Sequence, residues 1–395
     1  MPIVNGSYVA PTWVNDAPPA IDADELNAIS QTAESILLPK ITITTEDSYT
    51  SMTATNGTDT ITLTNSSGTW TGWFTDYGTW VVTAVASEGT GTATVEVDAV
   101  KEYVVTLAKP LGLYTWSEIS TIAQAGTAGN YWAVGDTKAV ALSGTVGTLS
   151  LNTTLYVYII GINHRNTNGV TFQGFKTAQT DGIDVCLIAN YGSSYSNGSK
   201  RFNMNHWGDS AASPYNTNYG GWKGCNLRYD ILGSTDTASS GYGAMLTTDN
   251  VGYDASSTTA TNPVANTLMA ALPASLRSMM KPMTIYTDNV GNSNNTETAV
   301  TTSIDYLPLL AEFEILGSRY LANQYEQNYQ SQYDYYAAGN SKVKYRHSDT
   351  GSTAAWWARS PYYSNAYGFC SVSASGTGQN TDSRYSRGIA PMFLV

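Results

Sequence analysis

The chain has 395 residues, 13% of them charged, with a formal net charge of −12 and an isoelectric point near 4.6. The length is sufficient for roughly two or three domains with cores of their own. Because basic residues are few and form no run, binding to a nucleic acid backbone is not expected. No stretch approaches the roughly 20 apolar residues of a membrane helix, so membrane insertion is not expected either.

Cysteine usage and the first residues bear on where the protein is made. Cys186, Cys225 and Cys370 are widely spaced and match neither a disulfide framework nor a CxxC metal pattern, so we expect buried thiols. The N-terminus has neither the basic nor the apolar region of a signal peptide. The chain is nevertheless rich in Thr, Ser, Gly, Asn and Tyr, as exported surface proteins are. A phage virion protein, made in the host bacterial cytoplasm and released by lysis, reconciles these properties.

Residues 1–39 are predicted to form an attachment and oligomerisation segment with a helix over about residues 22–37. Asp22 is in the N-cap position with Glu25 three residues later, and Pro39 ends the pattern. The apolar residues recur at the 3-4-3 spacing of a short coiled-coil seam: Leu26, Ile29, Ala33 and Ile36. Such a seam favours a homo-oligomer, with a trimer preferred. The alternative is an ordinary amphipathic helix packed on its own domain.

Residues 40–108 follow the alternating pattern of β-strands. Short Thr- and Val-rich runs are separated by Gly-containing turns, and the alternating pairs are Ile41/Ile43, Ile61/Leu63, Trp80/Val82, Thr92/Thr94 and Val95/Val97. Several short strands at this spacing predict a small all-β, Ig-like sandwich. We interpret this region as a spacer, because it carries no cluster of titratable groups.

Residues 109–395 are predicted to form one α+β domain with long ordered loops. Thr115 to Glu118 match a helix capping box. A hairpin turn is predicted at Gly135-Asp136, between two alternating strands, and residues 155–162 have the composition of an apolar strand.

Two further helices are predicted in the same domain. One should start at Asn262-Pro263, with Leu268 on its apolar side, before Pro273. The other should run near residues 309–315 and stop at Gly317.

The last forty-odd residues are predicted to display a binding face between core anchors. Tyrosine offers a large amphipathic contact area at low entropy cost, while Ser and Asn adapt their hydrogen bonds. The predicted ligand-binding residues are Tyr362, Tyr363, Ser364, Asn365, Tyr367, Ser371, Ser373, Ser375, Thr377, Asn380, Asp382, Ser383, Tyr385 and Ser386. The predicted structural anchors are Trp356, Trp357, Phe369, Val372, Ile389 and Phe393. The alternative is a Gly/Ser-rich surface loop without a ligand.

An ordered series of motifs in residues 110–395 resembles the C-type-lectin-like domain of the formylglycine-generating-enzyme-like branch. The motifs are Trp116-Ser117-Glu118-Ile119, Val134-Gly135-Asp136-Thr137-Lys138, Gly161-Ile162-Asn163-His164, Gly221-Trp222, Leu310-Ala311-Glu312-Phe313-Glu314, Trp356-Trp357-Ala358-Arg359-Ser360-Pro361, Phe369-Cys370-x-Val372 and Gly388-Ile389-Ala390-Pro391. In addition, residues 11–27 resemble the opening of many phage tail and tail-fibre proteins, and residues 78–84 resemble a strand of phage Ig-like modules.

Lectin-like proteins that end in such a segment are similar to the variable proteins of diversity-generating retroelements. There, a reverse transcriptase that copies a template RNA mutates adenines, so Asn-type codons scatter to Tyr, Ser, Asp, Gly and Thr. The resemblance therefore implies a variable segment over about residues 345–388, with the observed residue types between fixed hydrophobic anchors.

Catalytic and metal sites have weaker support in the sequence. A formylglycine-generating enzyme needs paired cysteines, and the three here are far apart. The histidines lack zinc-site spacing, and Glu312 and Glu314 are interpreted as a solvated pair. No Glu-Pro-Asn or Gln-Pro-Asp calcium tripeptide occurs, so no cofactor is expected, although the acidic loop at residues 181–184 leaves a structural calcium ion open.

Two alternatives remain within the binding segment itself. Tyr362, Tyr363 and Tyr367 are candidate hot spots, but they could also pack in the core. Arg384 and Arg387 could be partners in structural ion pairs.

These patterns favour a non-enzymatic receptor-binding protein at a phage tail tip or fibre. Its expected partners are a host-cell surface protein or glycan and, through the N-terminus, other virion tail proteins. The alternative function is a structural virion decoration protein with weak, non-diversified glycan adhesion.

Overall fold

The structure is a computed structural model that describes residues 3–4, 7–8, 38–192, 201–205, 217–234 and 260–395. The chain divides into two compact units, residues 1–114 and residues 115–395. The division falls close to the domain boundary predicted at residue 108. The helix predicted over residues 22–37 lies outside the described residues. Two short strands near the N-terminus, β1 (Ile3–Val4) and β2 (Ser7–Tyr8), pair antiparallel.

The first unit contains two four-stranded sheets. Its strands are β3 (Lys40–Thr44), β4 (Tyr49–Thr55), β5 (Thr60–Thr62), β6 (Thr64–Ser66), β7 (Thr69–Trp73), β8 (Gly78–Ala86), β9 (Gly89–Val97) and β10 (Glu102–Val104). One sheet has the order β10-β3-β7-β6 and the other β5-β4-β8-β9. The strand β10 runs parallel to β3, whereas the other neighbours are antiparallel.

Alternation of side chains explains the core of the first unit. Along β8, Trp80, Val82 and Ala84 are fully buried and the residues between them face outwards. They join Ile41 of β3 and Met52 of β4 in one apolar cluster, so both sheets contribute to the same core.

The second unit is also mostly β. Its strands are β11 (Thr137–Val146), β12 (Leu149–Ile162), β13 (Val170–Lys176), β14 (Val185–Cys186), β15 (Met283–Asp288), β16 (Val300–Asp305), β17 (Lys344–Arg346), β18 (Asp349–Ala354), β19 (Trp356–Pro361), β20 (Gly368–Val372), β21 (Gly378–Asp382) and β22 (Met392–Leu394). They form a four-stranded sheet β11-β12-β13-β22, the three-stranded sheets β14-β17-β18 and β19-β20-β21, and the pair β15-β16. The last strand pairs antiparallel with β13, so the end of the chain closes against its own unit's first sheet.

The helices of the second unit are short. They are α1 (Trp116–Gln124), α2 (Gly221–Gly224), α3 (Leu268–Ala271), α4 (Ala274–Arg277), α5 (Glu312–Leu316) and α6 (Asp334–Ala337), with one π-turn at Leu227–Ile231. No helix among the described residues is long and apolar enough to cross a membrane.

Two predicted helix boundaries, one at an N-terminus and one at a C-terminus, agree with the structure. The capping box at Thr115 and Glu118 is confirmed, because each side chain bonds the other's backbone N–H. The stop at Gly317 is confirmed as well, since this glycine has φ +70° at the C-cap of α5.

Three predictions of element boundaries were wrong. The strand β11 starts only at Thr137 and turns into β12 near Gly147, so Gly135-Asp136 is not a hairpin turn; Asp136 instead bonds the backbone N–H of Ala133. The helix expected from Asn262 begins after Thr267, whose hydroxyl caps α3. The helix expected from residue 309 begins at Glu312, because Ala311 is still extended.

Candidate ligand-binding face

The sheet β19-β20-β21 and the loops around it hold most of the predicted binding residues. Tyr367, in the loop between β19 and β20, is 54% exposed. Tyr320 lies on a neighbouring loop and is 62% exposed. We call Tyr320, Tyr362, Tyr363, Tyr367 and Asn380 the tyrosine face.

Two loops that are distant in sequence meet at the tyrosine face. The backbone N–H of Tyr363 donates to Leu321 at 3.0 Å, and Ala322 forms a β-bridge with Tyr362. The Arg319 guanidinium lies over the Tyr363 ring, 4.3 Å from its centroid. The second loop is also rich in tyrosine, but nothing in the sequence indicated that Tyr320 joins the binding segment.

The predicted positions differ in exposure. Five are exposed: Ser364, Tyr367, Ser375, Thr377 and Asn380. Six are half-buried: Tyr362, Tyr363, Asn365, Ser373, Asp382 and Tyr385. Three are buried: Ser371, Ser383 and Ser386. The predicted anchors are all buried: Trp356, Trp357, Phe369, Val372, Ile389 and Phe393.

The three buried serines are therefore not part of a displayed surface. Ser371 Oγ lies 2.9 Å from Thr381 Oγ1, in a cross-strand pair of hydroxyls that faces the interior. Ser386 Oγ donates to the Ala189 carbonyl at 2.5 Å, and Ser383 lies fully buried beneath the loop that carries Tyr367. A short hydroxyl side chain can be buried cheaply when it has a partner, as in Ser371 and Ser386, so residue type alone did not reveal the orientation of these positions.

Several of the remaining polar side chains form hydrogen bonds with the backbone of their own loops. Asn365 Oδ1 accepts the backbone N–H groups of Tyr367 and Gly368, both at 2.9 Å. Ser373 Oγ accepts the N–H groups of Ser375 and Thr377 within the next turn. These side chains stabilise the turn geometry, whereas the rings of Tyr320 and Tyr367 are exposed.

Asp382 and Arg384 form an ion pair at the end of β21. The Arg384 Nε lies 3.2 Å from the Asp382 carboxylate, which also accepts the Arg384 N–H. Partial burial raises the pKa of Asp382, while Arg384 lowers it. Arg384 is therefore a member of a structural ion pair, which was the alternative role considered for it.

A buried asparagine supports the tyrosine loop from below. Asn218 is fully buried, and its Nδ2 contacts the carbonyl oxygens of Tyr362, Asn365 and Gly368 at 3.1, 2.9 and 2.8 Å. Its Oδ1 accepts the N–H of Asn292 at 2.8 Å. One side chain thus ties the loop to the turn that follows β15.

Glu312 supports the second loop in the same way. It is 2% exposed, and its carboxylate accepts the backbone N–H groups of Tyr320, Leu321 and Ala322 at 2.9–3.1 Å. The interpretation of Glu312 as half of a solvated pair was wrong, because these three donors replace water around the carboxylate.

Glu314 was also wrongly interpreted as solvated. Its carboxylate forms a two-point pair with the buried Arg359, at 2.6 and 2.7 Å. The same guanidinium donates to Thr287 Oγ1 and the Leu309 carbonyl at 2.7 and 2.8 Å. This network fixes β19 against α5 and β15 directly beneath the face.

Two further carboxylates lie in the interior next to this network. Glu326 accepts the Asp288 N–H, the Ser360 hydroxyl and the Gln330 amide. Burial raises the pKa of Glu326 to about 7 and that of Asp288 to about 6. Nothing in their sequence spacing indicated that they would meet.

The cysteines are buried thiols, as predicted. Burial raises the pKa of Cys186 and Cys225 to about 12, so neither is activated as a thiolate near neutral pH. In the described part of the chain, no group of three or more His, Cys, Asp or Glu is placed to hold a metal ion. In the acidic loop considered for calcium, Asp184 pairs with Lys176 at 2.6 Å.

Comparison with known proteins identifies one family for the chain. No curated protein and no solved structure matches the chain. One family model, described as a domain of unknown function (DUF6273), matches residues 184–395, which include every residue of the tyrosine face. Because the match covers more than half of its length, the chain belongs to this DUF6273 family.

Proposed function

We propose that the second unit is a non-enzymatic receptor-binding domain of a phage tail tip or fibre, and that the tyrosine face contacts the host-cell surface. One observation carries the proposal. Tyr320 and Tyr367 are more than half exposed, on loops whose backbone groups are bonded by the buried side chains of Glu312 and Asn218. A rigid base with exposed tyrosines is the arrangement of an antibody-type binding surface.

The folded state should tolerate substitutions at the exposed positions of the tyrosine face. An exposed substitution usually changes the free energy of unfolding by less than about 0.5 kcal/mol. Buried groups such as Glu312 and Asn218, with the half-buried Asn365, bond the loop backbones, so an exposed side chain such as Tyr367 is not needed to hold them. This separation supports diversification by a retroelement, in which fixed anchors flank a segment of Tyr, Ser, Asn and Thr.

The strand order supports a C-type-lectin-like fold for the second unit. The pairing of β22 with β13 returns the last strand of the unit to its four-stranded sheet, and long irregular segments lie between these two strands. The two sheets with one shared apolar core support an Ig-like spacer for the first unit. Both assignments belong to the proposal.

In this account the N-terminal segment joins the chain to other tail proteins and brings copies together, most simply as a trimer. A shallow face gives modest affinity for each copy. Linking several copies can raise the overall affinity by about 10²–10⁴-fold without a new contact. The ligand is a protein or glycan of the host-cell surface.

Binding of the purified chain to a panel of bacterial cells tests the proposal. The double variant Tyr320→Ser and Tyr367→Ser should reduce binding by about tenfold or more, because exposed aromatic residues dominate such interfaces. The matched control is Tyr77→Ser, which removes a tyrosine that is 44% exposed in the first unit. Equal binding by the double variant and the native chain would exclude the tyrosine face, and the decoration protein would become the better account.

A further inference from the structure

Three arginines and two tyrosines alternate in a line at one side of the second unit. Arg346 lies over the Tyr191 ring at 4.8 Å from its centroid, and Arg387 lies over the same ring at 5.2 Å. Arg387 also lies 5.6 Å from the Tyr385 ring centroid, and Arg384 lies 5.4 Å from it. We call these five side chains the arginine–tyrosine ladder.

The ladder is assembled from three separate segments. Arg346 ends β17, Tyr191 follows β14, and the other members follow β21. The parallel pairing of β14 with β17 brings the first two together, and the Tyr191 hydroxyl is fixed by the Ala355 N–H at 2.8 Å. All five members are half-buried, so packing holds the stack while part of each side chain stays accessible.

Positive charge is concentrated along the ladder, although the chain as a whole is acidic. The protein has 19 basic residues against 31 acidic ones, yet three guanidinium groups stack here. Asp382 pairs with Arg384, and Asp349 lies opposite Arg346 in the β17–β18 register. Within the described ranges, however, neither Arg346 nor Arg387 forms an ion pair; Arg387 Nη1 donates to the Ser386 carbonyl at 3.2 Å.

The segment that carries one end of the ladder is bonded to the tyrosine loop. The Ser383 N–H donates to the Tyr367 carbonyl at 2.8 Å, and Arg384 is the next residue. The proposal therefore requires a ligand long enough to extend from Tyr367 along this segment. This inference rests on the proposed function and specifies the chemistry of the ligand.

We infer that the ladder binds an acidic polysaccharide of the host surface, with repeated carboxylate or phosphate groups. A guanidinium that stacks on a ring keeps its N–H edge for an anionic oxygen, and arginine matches both carboxylate and phosphate in two-point bonds. The tyrosine rings, stacked between the guanidinium groups, hold these groups apart along the line. Anionic groups at regular intervals along a chain fit repeated cationic groups at regular intervals on the protein.

The test measures binding of the full chain to four immobilised polymers. Polygalacturonate supplies carboxylates on a sugar chain, phosphomannan supplies phosphates on a sugar chain, and dextran is the uncharged control. Single-stranded DNA is the fourth polymer, because arginine with aromatic rings can also bind nucleic acid. Binding to one or both acidic polysaccharides is expected, and it should weaken as salt is raised.

The double variant Arg346→Gln and Arg387→Gln should lose about 10- to 100-fold in affinity for the acidic polysaccharide, because hydrogen bonds to charged groups are strong. Arg387→Lys should fall in between, since lysine keeps the charge but not the planar edge. Lys101→Gln is the matched control, as it removes one exposed positive charge from the first unit. The thermal unfolding midpoint of each variant establishes that it is folded.

Several results would overturn the inference. They are no binding to either acidic polysaccharide, equal binding by the double variant, equal binding to dextran, or tighter binding to single-stranded DNA. If cell binding depends on Tyr320 and Tyr367 but not on Arg346 and Arg387, the proposed function stands and the ladder is structural. If neither pair matters for cell binding, the proposed function itself fails.

Discussion

The two units bury different kinds of residue. In the described residues of the first unit, 38–114, every buried side chain with a role in the core is apolar or aromatic, and no buried residue is charged. In the second unit, Arg228, Arg359, Asp305 and Glu312 are at most 2% exposed.

The difference follows from how the backbone N–H and C=O groups of each unit find hydrogen-bond partners. Strands in a regular sheet bond each other, so the first unit needs few side chains for this purpose. The irregular loops of the second unit have no neighbouring strand along much of their length. Buried polar side chains such as Glu312 and Asn218 supply the missing partners. Regular sheets thus permit an apolar core, whereas displayed loops require a polar one.

Arg359→Ala should have the largest effect on stability. It leaves the buried Glu314 carboxylate without its partner, which costs about 3–5 kcal/mol in comparable pairs. Chemical denaturation of the full chain should show that the second unit unfolds at a much lower denaturant concentration, while the first unit is unchanged.

Met52→Ala is the control that should destabilise the first unit and leave the second unit unchanged. Met52 is fully buried in the first unit, and its truncation should cost about 2–5 kcal/mol there. The second unit should keep both its stability and its ligand binding. If Arg359→Ala instead lowers the free energy of unfolding by no more than the substitution of an exposed residue does, the buried ion pair does not stabilise the second unit.

Asn218→Ala should have an intermediate effect. An unsatisfied buried group costs about 1–3 kcal/mol, and this variant removes a donor that serves three carbonyl groups. Hydrogen exchange at the Asn292 amide, which loses its acceptor, should become faster. The control Asn380→Ala removes an exposed asparagine from β21 and should leave that exchange rate unchanged.

The Glu326 carboxyl predicts a pH dependence of the second unit. Because burial raises its pKa from 4.5 to about 7, the folded state holds a proton that the unfolded state releases between these values. Its contribution to stability is therefore complete below about pH 4.5 and is lost as the pH rises through about 7. A tenfold change in acidity corresponds to about 1.4 kcal/mol, so a shift from 4.5 to about 7 gives a loss on the order of 3–4 kcal/mol.

Glu326→Gln isolates this contribution. Burial lowers the pKa of His164 and His347, which gives the opposite trend in the native chain, so the difference between the native chain and the variant is the quantity to measure. The free energy of unfolding of the native chain minus that of the variant should fall as the pH rises from about 4.5 to about 7. A difference that does not change with pH would show that Glu326 remains ionised in the folded state.

The smallest effect is expected from Ser375→Tyr, at an exposed position of the binding segment. We expect the free energy of unfolding to change by less than about 0.5 kcal/mol. Ser371→Tyr makes the same chemical change at a position that is 2% exposed, and it should cost about 1–3 kcal/mol or more through overpacking. Equal costs at the two positions would contradict the assigned orientations.

Sequence reasoning succeeded where the determining contacts are local. The capping box at Thr115 spans three residues, and the stop at Gly317 depends on one φ angle. It failed where the partners are distant: Arg359 and Glu314 are 45 residues apart, and Asn218 and Tyr362 are 144 apart. Composition alone therefore suggested the tyrosine segment but could not separate the exposed Ser375 from the buried Ser371.

The most direct test of the account is to sequence the DNA encoding residues 340–395 from many phages of one population, together with the genome around it. The account predicts substitutions at the exposed and half-buried positions, such as Tyr367 and Asn380, at adenines of a nearby near-identical template. It also predicts that Ser371, Ser383 and Ser386 do not vary. A uniform segment with no template or reverse transcriptase nearby would contradict the account, as would variation spread equally over the buried positions.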